Sequence, residues 1–124
     1  TSGARVHRAR RRPRRRVKRG DIVVVAARGG YAGKPRPALV VQSDLFNPTH
    51  ASVTLCLITS ELRQAPLFRV PVEPQPENGL RKRSQVMIDK VFSAPTDSLG
   101  APIGEVDAST LQEVDAALRL WLQQ

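Results

Sequence analysis

Lys34-Pro35-Arg36-Pro37-Ala38-Leu39-Val40-Val41-Gln42 and Val53-Thr54-Leu55-Cys56-Leu57-Ile58-Thr59-Ser60-Glu61 are the stretches whose reading decides the fold. Each holds a short apolar run, rich in β-branched residues in the first and bounded by polar or turn residues in both, which is how a strand reads. Paired as antiparallel neighbours, the start of one lies beside the end of the other. Arg36 then comes to Thr59 and Ser60 at one rim of a sheet. A guanidinium facing two hydroxyls can hold a phosphate and shift protons around it.

The same signs recur outward from this pair. Ile22 to Ala27 reads as a strand buried on both faces or nearly so, and Arg28-Gly29-Gly30-Tyr31-Ala32-Gly33-Lys34-Pro35 as a loop. Strands are expected over 37–43 and 52–58, with Asn47-Pro48-Thr49-His50 as the turn between them. Leu67 to Glu73 alternates imperfectly, and Pro71 marks it as an edge strand because proline cannot donate to a ladder. Pro74 to Gly79 is a turn-rich connector. Ser84 to Val91 reads as a further strand and 93–104 as irregular. One helix is expected after Asp107, a natural N-cap. Leu111, Val114, Leu118 and Leu122 recur at helical spacing, Ala117 and Trp121 fill that face, and Glu113, Asp115 and Arg119 point elsewhere. The predicted fold is mostly β: five short strands in a small barrel closed by a C-terminal α-helix.

Length and composition bound the rest. A chain of 124 residues suggests one domain that buries roughly two-thirds of its unfolded surface. Its single cysteine, Cys56, sits between leucines, so no internal disulfide forms and a reduced compartment is expected. No stretch approaches the roughly 20 apolar residues of a membrane span, and no apolar leader core is present, so a cytoplasmic protein is the default. The net charge of +9 is uneven. Residues 1–19 hold ten basic residues and no acid, leaving ten basic residues against eleven acids in 20–124, a net of −1. Residues 1–17 therefore read as a disordered arginine-rich tail and 18–124 as the domain. The tail is either a non-specific nucleic-acid arm or an incidental extension. The absence of an initial Met and a Thr1-Ser2-Gly3 start like a cloning remnant favour the second. A nucleic-acid site on the body has to be local.

The residues exclude several chemistries. His7 and His50 are the only histidines, and no His/Cys/Asp/Glu spacing suits zinc. There is no phosphate-cradling glycine loop and no Cys–His pair placed for acyl transfer, and Cys56 reads as core. What remains is Arg36, Thr59, Ser60 and Asp89. RNA brings its own nucleophile, the 2′-hydroxyl, so its cleavage asks for a base, a cation on the phosphorane and a donor for the leaving 5′-oxygen. Arg36 offers charge and bidentate donors, Thr59 and Ser60 offer hydroxyls, and Asp89 is either the base or the residue that orients Arg36. Each has a plainer reading: an Arg36–Asp89 structural bridge, strand-end hydroxyls, His50 and Asp21 as turn residues. Tyr31 can stack on a base. Lys34, Gln42, Gln85 and Lys90 complete the candidate RNA contacts.

In this order the segments resemble the MazF/PemK family of toxin endoribonucleases. The resemblance runs through Arg19-Gly20-Asp21-Ile22-Val23, Arg36-Pro37-Ala38-Leu39-Val40-Val41, Ile58-Thr59-Ser60, Phe68-Arg69-Val70, Asn78-Gly79-Leu80, Ser84-Gln85-Val86-Met87-Ile88-Asp89, Ile103-Gly104 and the helix from Asp107, about residues 18–122. It implies an SH3-like barrel, a homodimer, and metal-independent cleavage of single-stranded RNA to 2′,3′-cyclic phosphate and 5′-hydroxyl ends, with no cofactor. It also implies a cognate antitoxin whose flexible segment wraps the toxin and blocks the RNA groove; the exposed edge near Pro71 and the groove around Arg36 should accept an acidic, amphipathic segment. On the family pattern Arg36 and Thr59 are the catalytic pair, with Ser60 beside them and Asp89 facing the site. The chain departs from that pattern twice. The glutamate some members carry before the arginine is missing from Gly30 to Pro35, and Asp89 is followed by Lys90 rather than Gln. The general base stays open, with Asp89 as first candidate. Two other classes fit the same fold: a toxin that binds a protein such as DNA gyrase without hydrolysis, and a non-catalytic nucleic-acid-binding barrel.

If the tail is an arm, deleting 1–17 lowers the slope of log affinity for RNA against log salt, by up to about 0.7 for each phosphate the arm neutralises. Titrations across a salt series check this, and an unchanged slope disposes of the arm.

Overall fold

A computed structural model describes residues 17–26 and 34–123. The tail expectation, apart from Val17, and the loop that holds Tyr31 lie outside the described residues. Val17 belongs to the body: it is buried in the core.

Among the described residues, six strands and one longer helix follow in order: β1 (Asp21–Val25), β2 (Arg36–Val40), β3 (Ser52–Thr59), β4 (Arg69–Val72), β5 (Ser84–Pro95), β6 (Gly104–Glu105) and α1 (Ala108–Leu122). A short 3-10 turn, Thr96–Ser98, follows β5. The strands make one antiparallel sheet in the order β4-β5-β3-β2-β1-β6, curled into a half-barrel. Because the apolar runs are nearly continuous, both faces of the sheet are covered. On one face Ile22, Leu39, Cys56, Ile58, Val86 and Ile88 pack with Val114 of α1. On the other, Val23, Ala38, Val40, Val53, Leu55 and Leu57 pack with Leu99 from the stretch after β5. β4 is the edge strand that Pro71 demanded, and Pro71 is exposed.

The structure corrects the expected boundaries. β2 stops at Val40 rather than 43, because the Gln42 side chain ties the chain down instead: its amide donates to Asn47 Oδ1 (2.8 Å) and Ser52 O (3.3 Å) and accepts from Thr54 N (3.2 Å). β5 runs on to Pro95, through residues expected to be irregular, because Phe92 to Pro95 pair with Leu55 to Ser52 of β3. The pairing slips near Leu57, where residues 87–90 bow out between Val86↔Ile58 and Val91↔Cys56. β6 was absent from the prediction, since two residues carry no period. In α1, Asp107 caps Thr110 N (2.7 Å) as read, and the Thr110 hydrogen bond holds its carboxyl below the usual carboxylate range. Leu111, Ala117 and Leu118 pack on the sheet, but Leu122 is exposed and Trp121 half so, its ring 6.0 Å from Phe68. Asp115 does not point away; it forms an ion pair with Arg19 and ties α1 to the start of β1.

The barrel closes at a seam where β6 meets the turn after β4, with Glu105 N donating to Glu77 O (2.9 Å). Two glycines make that approach possible. A Cβ on Gly104 would stand 2.4 Å from Asn78 C, and one on Gly79, whose φ is +71°, would stand 2.4 Å from Ile103 O. Both obstacles are backbone, so no rotamer change relieves them. Gly104→Ala is therefore expected to lower stability by about 1–3 kcal/mol, as overpacking does. A fall in the urea midpoint at unchanged m checks it; an unchanged midpoint would show that the seam can open freely.

Candidate active site

β2 and β3 are held in register by Ala38↔Leu57 and Leu39↔Cys56, residues that are 0–5% exposed. Continuing the ladder toward the rim sets Arg36 level with Thr59. Arg36 also pairs with Val25 of β1, and Thr59 with Gln85 of β5. The rim thus carries one transverse row across four strands. Arg36 follows the side-chain alternation of Ala38 and Val40, and Thr59 that of Leu57, so both project on the same face.

They line one open groove of about 470 Å³. Its walls are Lys34 to Pro37 leading into β2, Ile58 to Glu61 leaving β3, and Leu80, Arg81, Lys82 and Ser84 leading into β5. Among the described residues that line it, Lys34, Arg36, Arg81 and Lys82 stand against one carboxylate, Glu61, so the groove is strongly cationic on a nearly neutral body. Thr59 is nearly buried, and its Oγ1 accepts from Glu61 N (3.0 Å). That bond uses a lone pair and leaves the Thr59 O–H to donate. Cations and hydroxyl donors converging on one opening suit a phosphodiester whose charge rises during reaction.

The loop after Ser60 is tied down. Arg69, 8% exposed, donates from Nη1 to Glu61 O (3.0 Å) and to Gln85 Oε1 (2.8 Å). The Gln85 amide takes Arg63 at both ends, accepting from its N (3.1 Å) and donating to its O (2.9 Å). Ser84 Oγ braces the opposite wall at Lys82 O (2.9 Å).

The structure brings together Arg36, Thr59, Ser60 and Lys34 of the sequence candidates. It sets others elsewhere. Asp89, in the bowed part of β5, lines a different hollow with Leu57, Lys90, Val91 and Phe92. One Asp89 oxygen is 4.0 Å from Lys90 Nζ and the other is buried without a hydrogen-bond partner. Asp89 stands beside Lys90 instead, and the hollow it lines is not the groove that Arg36 lines. Gln42 lies past the far end of β2, and the Gln85 amide is bonded to Arg69 and Arg63. Tyr31 is outside the described residues. Asp21 is the backbone-bonding residue it promised to be, accepting from Lys18 N (2.9 Å). Glu61, Arg81, Lys82 and Ser84 escaped the reading of the sequence. Only the basic run Arg81-Lys82-Arg83 pointed to cations in this part of the chain.

Residues 18–122 match a family described as the PemK-like, MazF-like toxin of type II toxin-antitoxin systems. The chain belongs to this family. It is 44% identical over 106 residues to a probable endoribonuclease MazF of Mycolicibacterium smegmatis, covering 86% of this chain and 96% of that protein. It is 32% identical over 114 residues to endoribonuclease MazF9 of Mycobacterium tuberculosis, with the same two shares covered. Among solved structures it is similar to the Mycobacterium tuberculosis toxin MazF-mt6 (TM-score 0.70, 27% identity, 83% of this chain and 96% of that one). It is also similar to a mycobacterial endoribonuclease in complex with its cognate antitoxin (TM-score 0.71, 26% identity, 86% and 95%). The SH3-like, CcdB/MazF-type barrel expected from the resemblance is the fold found. Among the described residues, no helix is long and apolar enough to cross a membrane.

In this MazF-like toxin Cys56 is core. Burial, and after it the charge of Asp89, pushes its thiol from 9.0 up to about 12. The folded-state value exceeds the unfolded one, so the stability this thiol contributes is complete below pH 9 and declines as pH rises toward 12. At pH 8 the folded protein should resist iodoacetamide while the urea-unfolded chain is alkylated, as mass spectrometry would record. Equal rates in both states would contradict the burial.

Proposed function

We propose that this chain is the toxin of a type II toxin–antitoxin pair and an endoribonuclease that cleaves single-stranded RNA without a metal ion. The observation that carries the reading is the convergence of Arg36, Thr59 and Ser60 in one cationic groove. The scissile phosphate lies against Arg36, whose guanidinium meets two of its oxygens at once and compensates charge as the phosphorane forms. The Thr59 O–H, freed by the Glu61 N–H at its lone pair, donates to the same phosphate, with the Ser60 hydroxyl beside it. The adjacent 2′-hydroxyl attacks, the bond to the 5′-oxygen breaks, and the products carry a 2′,3′-cyclic phosphate and a 5′-hydroxyl. Arg81, Lys82 and Lys34 hold the flanking backbone by charge.

The toxin works as a homodimer in the cytoplasm and is silenced by a cognate antitoxin. An acidic segment suits the cationic groove, and the known complex of a similar endoribonuclease with its cognate antitoxin supports such a partner. A CcdB-like, gyrase-binding role has no call on this set of groups, since a binding face needs no phosphate-directed guanidinium and hydroxyls.

The test is incubation of the full chain, and of Arg36→Ala, with a mixed-sequence single-stranded RNA in EDTA, followed by mapping of the ends. Discrete cuts with cyclic-phosphate and 5′-hydroxyl ends are expected, slowed about 10²- to 10³-fold in the variant, the usual cost of removing one preorganised charge donor. An intact RNA pool after incubation with folded wild-type protein would sink the nuclease reading.

A further inference from the structure

The groove needs a base for the 2′-hydroxyl proton, and neither expected place supplies one. Residues 27–33 include no acid, and Asp89 opens on another hollow. We propose that Glu61 is the proton-accepting carboxylate of this toxin, a role that rests on the nuclease reading above.

Three observations lead there. Among the described residues lining the groove, Glu61 is the one acid. It follows Thr59 and Ser60 directly in the chain, so it enters the groove beside the hydroxyls that bind the phosphate. Its backbone is anchored on both sides, the N–H to Thr59 Oγ1 (3.0 Å) and the carbonyl to Arg69 Nη1 (3.0 Å), although its side chain is exposed. Two residues on, the Gln85 amide pins Arg63. An exposed loop would ordinarily leave a carboxylate adrift; here a buried guanidinium and a strand amide fix its root. The cost of anchoring is borne by Arg69 and Gln85, which makes them positioning residues.

The chemistry is balanced without further reactants. Glu61 takes the 2′-hydroxyl proton as the O2′–P bond forms. The P–O5′ bond breaks, and the 5′-oxygen takes a proton from water in the open groove. Glu61 returns its proton to water, leaving the cyclic phosphate and restoring the carboxylate. Lys34 and Arg36 face this carboxylate from the β2 side, Arg81 and Lys82 from the β5 side, and Arg69 from behind its carbonyl.

The experiment uses the full chain and a single-stranded RNA oligonucleotide carrying one mapped cut site, under single turnover in EDTA from pH 3 to 8, a range that spans the ordinary glutamate value of about 4.3. Wild-type rate should rise with pH through one ionisation. Glu61→Gln, an isosteric change on an exposed side chain, should lose about 10²- to 10⁴-fold in rate, the span of general-base catalysis, and lose the pH-dependent limb. Its affinity for the RNA should stay equal or increase, since a negative charge leaves a phosphate-binding groove. Asp89→Asn should keep both rate and limb. Glu61→Gln at near wild-type rate, or a slow variant with the limb intact, would overturn the proposal, as would loss of the limb in Asp89→Asn. A wild-type chain that cuts no RNA would bring down the nuclease reading itself, an outcome seen before any variant is compared.

Discussion

The registration of β2 against β3 is the constraint on which the site depends. Side chains alternate along a strand, so a slip of one residue would turn Arg36 to the face that α1 covers and leave Thr59 on the other. What prevents the slip is burial. Ala38, Leu39, Val40, Leu55 and Cys56 are wholly inside, and a shifted strand would bring each out of its own core layer. At about 25 cal/mol for each Å² of apolar surface, exposing a few such side chains exceeds any gain the exposed rim could offer. The core therefore sets the position of a guanidinium and a hydroxyl that contribute little to the fold themselves.

Charge is arranged around that rim by subtraction. Much of the body's charge is cancelled locally: Lys18 meets Glu105, Arg19 meets Asp115 and Arg83 meets Glu73. These surface pairs add little stability, typically under about 1 kcal/mol each. Their consequence is electrostatic, because among the described residues lining the groove basic side chains outnumber acidic ones four to one. A near-neutral body can thus present a field to a polyanion locally, at this groove. The fields of Arg36 and its neighbours act in a groove open to solvent, so a phosphate reaches them without any rearrangement of the barrel.

Support for the reactive loop comes from residues that chemistry alone would not select. Arg69 sits on the edge strand, nearly buried, and spends its guanidinium on a carbonyl and an amide rather than on an acid. Gln85, level with Thr59, would read as an RNA contact and serves as a bracket for Arg63. The same holds for Gln42, whose amide replaces the last rungs of β2. Polar side chains at strand ends here complete hydrogen bonding that the sheet leaves unmade, a demand that buried backbone imposes.

By itself the sequence determined the strands with continuous apolar runs, the edge position of Pro71, the capped helix after Asp107 and the shared rim of Arg36, Thr59 and Ser60. Each follows from local rules: burial on two faces, a missing N–H, a capping carboxylate, and the geometry of an antiparallel pair. Tertiary structure alone decided the rest. It carried β5 on to Pro95, bowed that strand at residues 87–90, brought Gly79 and Gly104 to the seam, and put Glu61, Arg81 and Lys82 beside Arg36. These outcomes depend on which partner a residue meets across the barrel, and no spacing along the chain encodes a partner that the register of another strand selects.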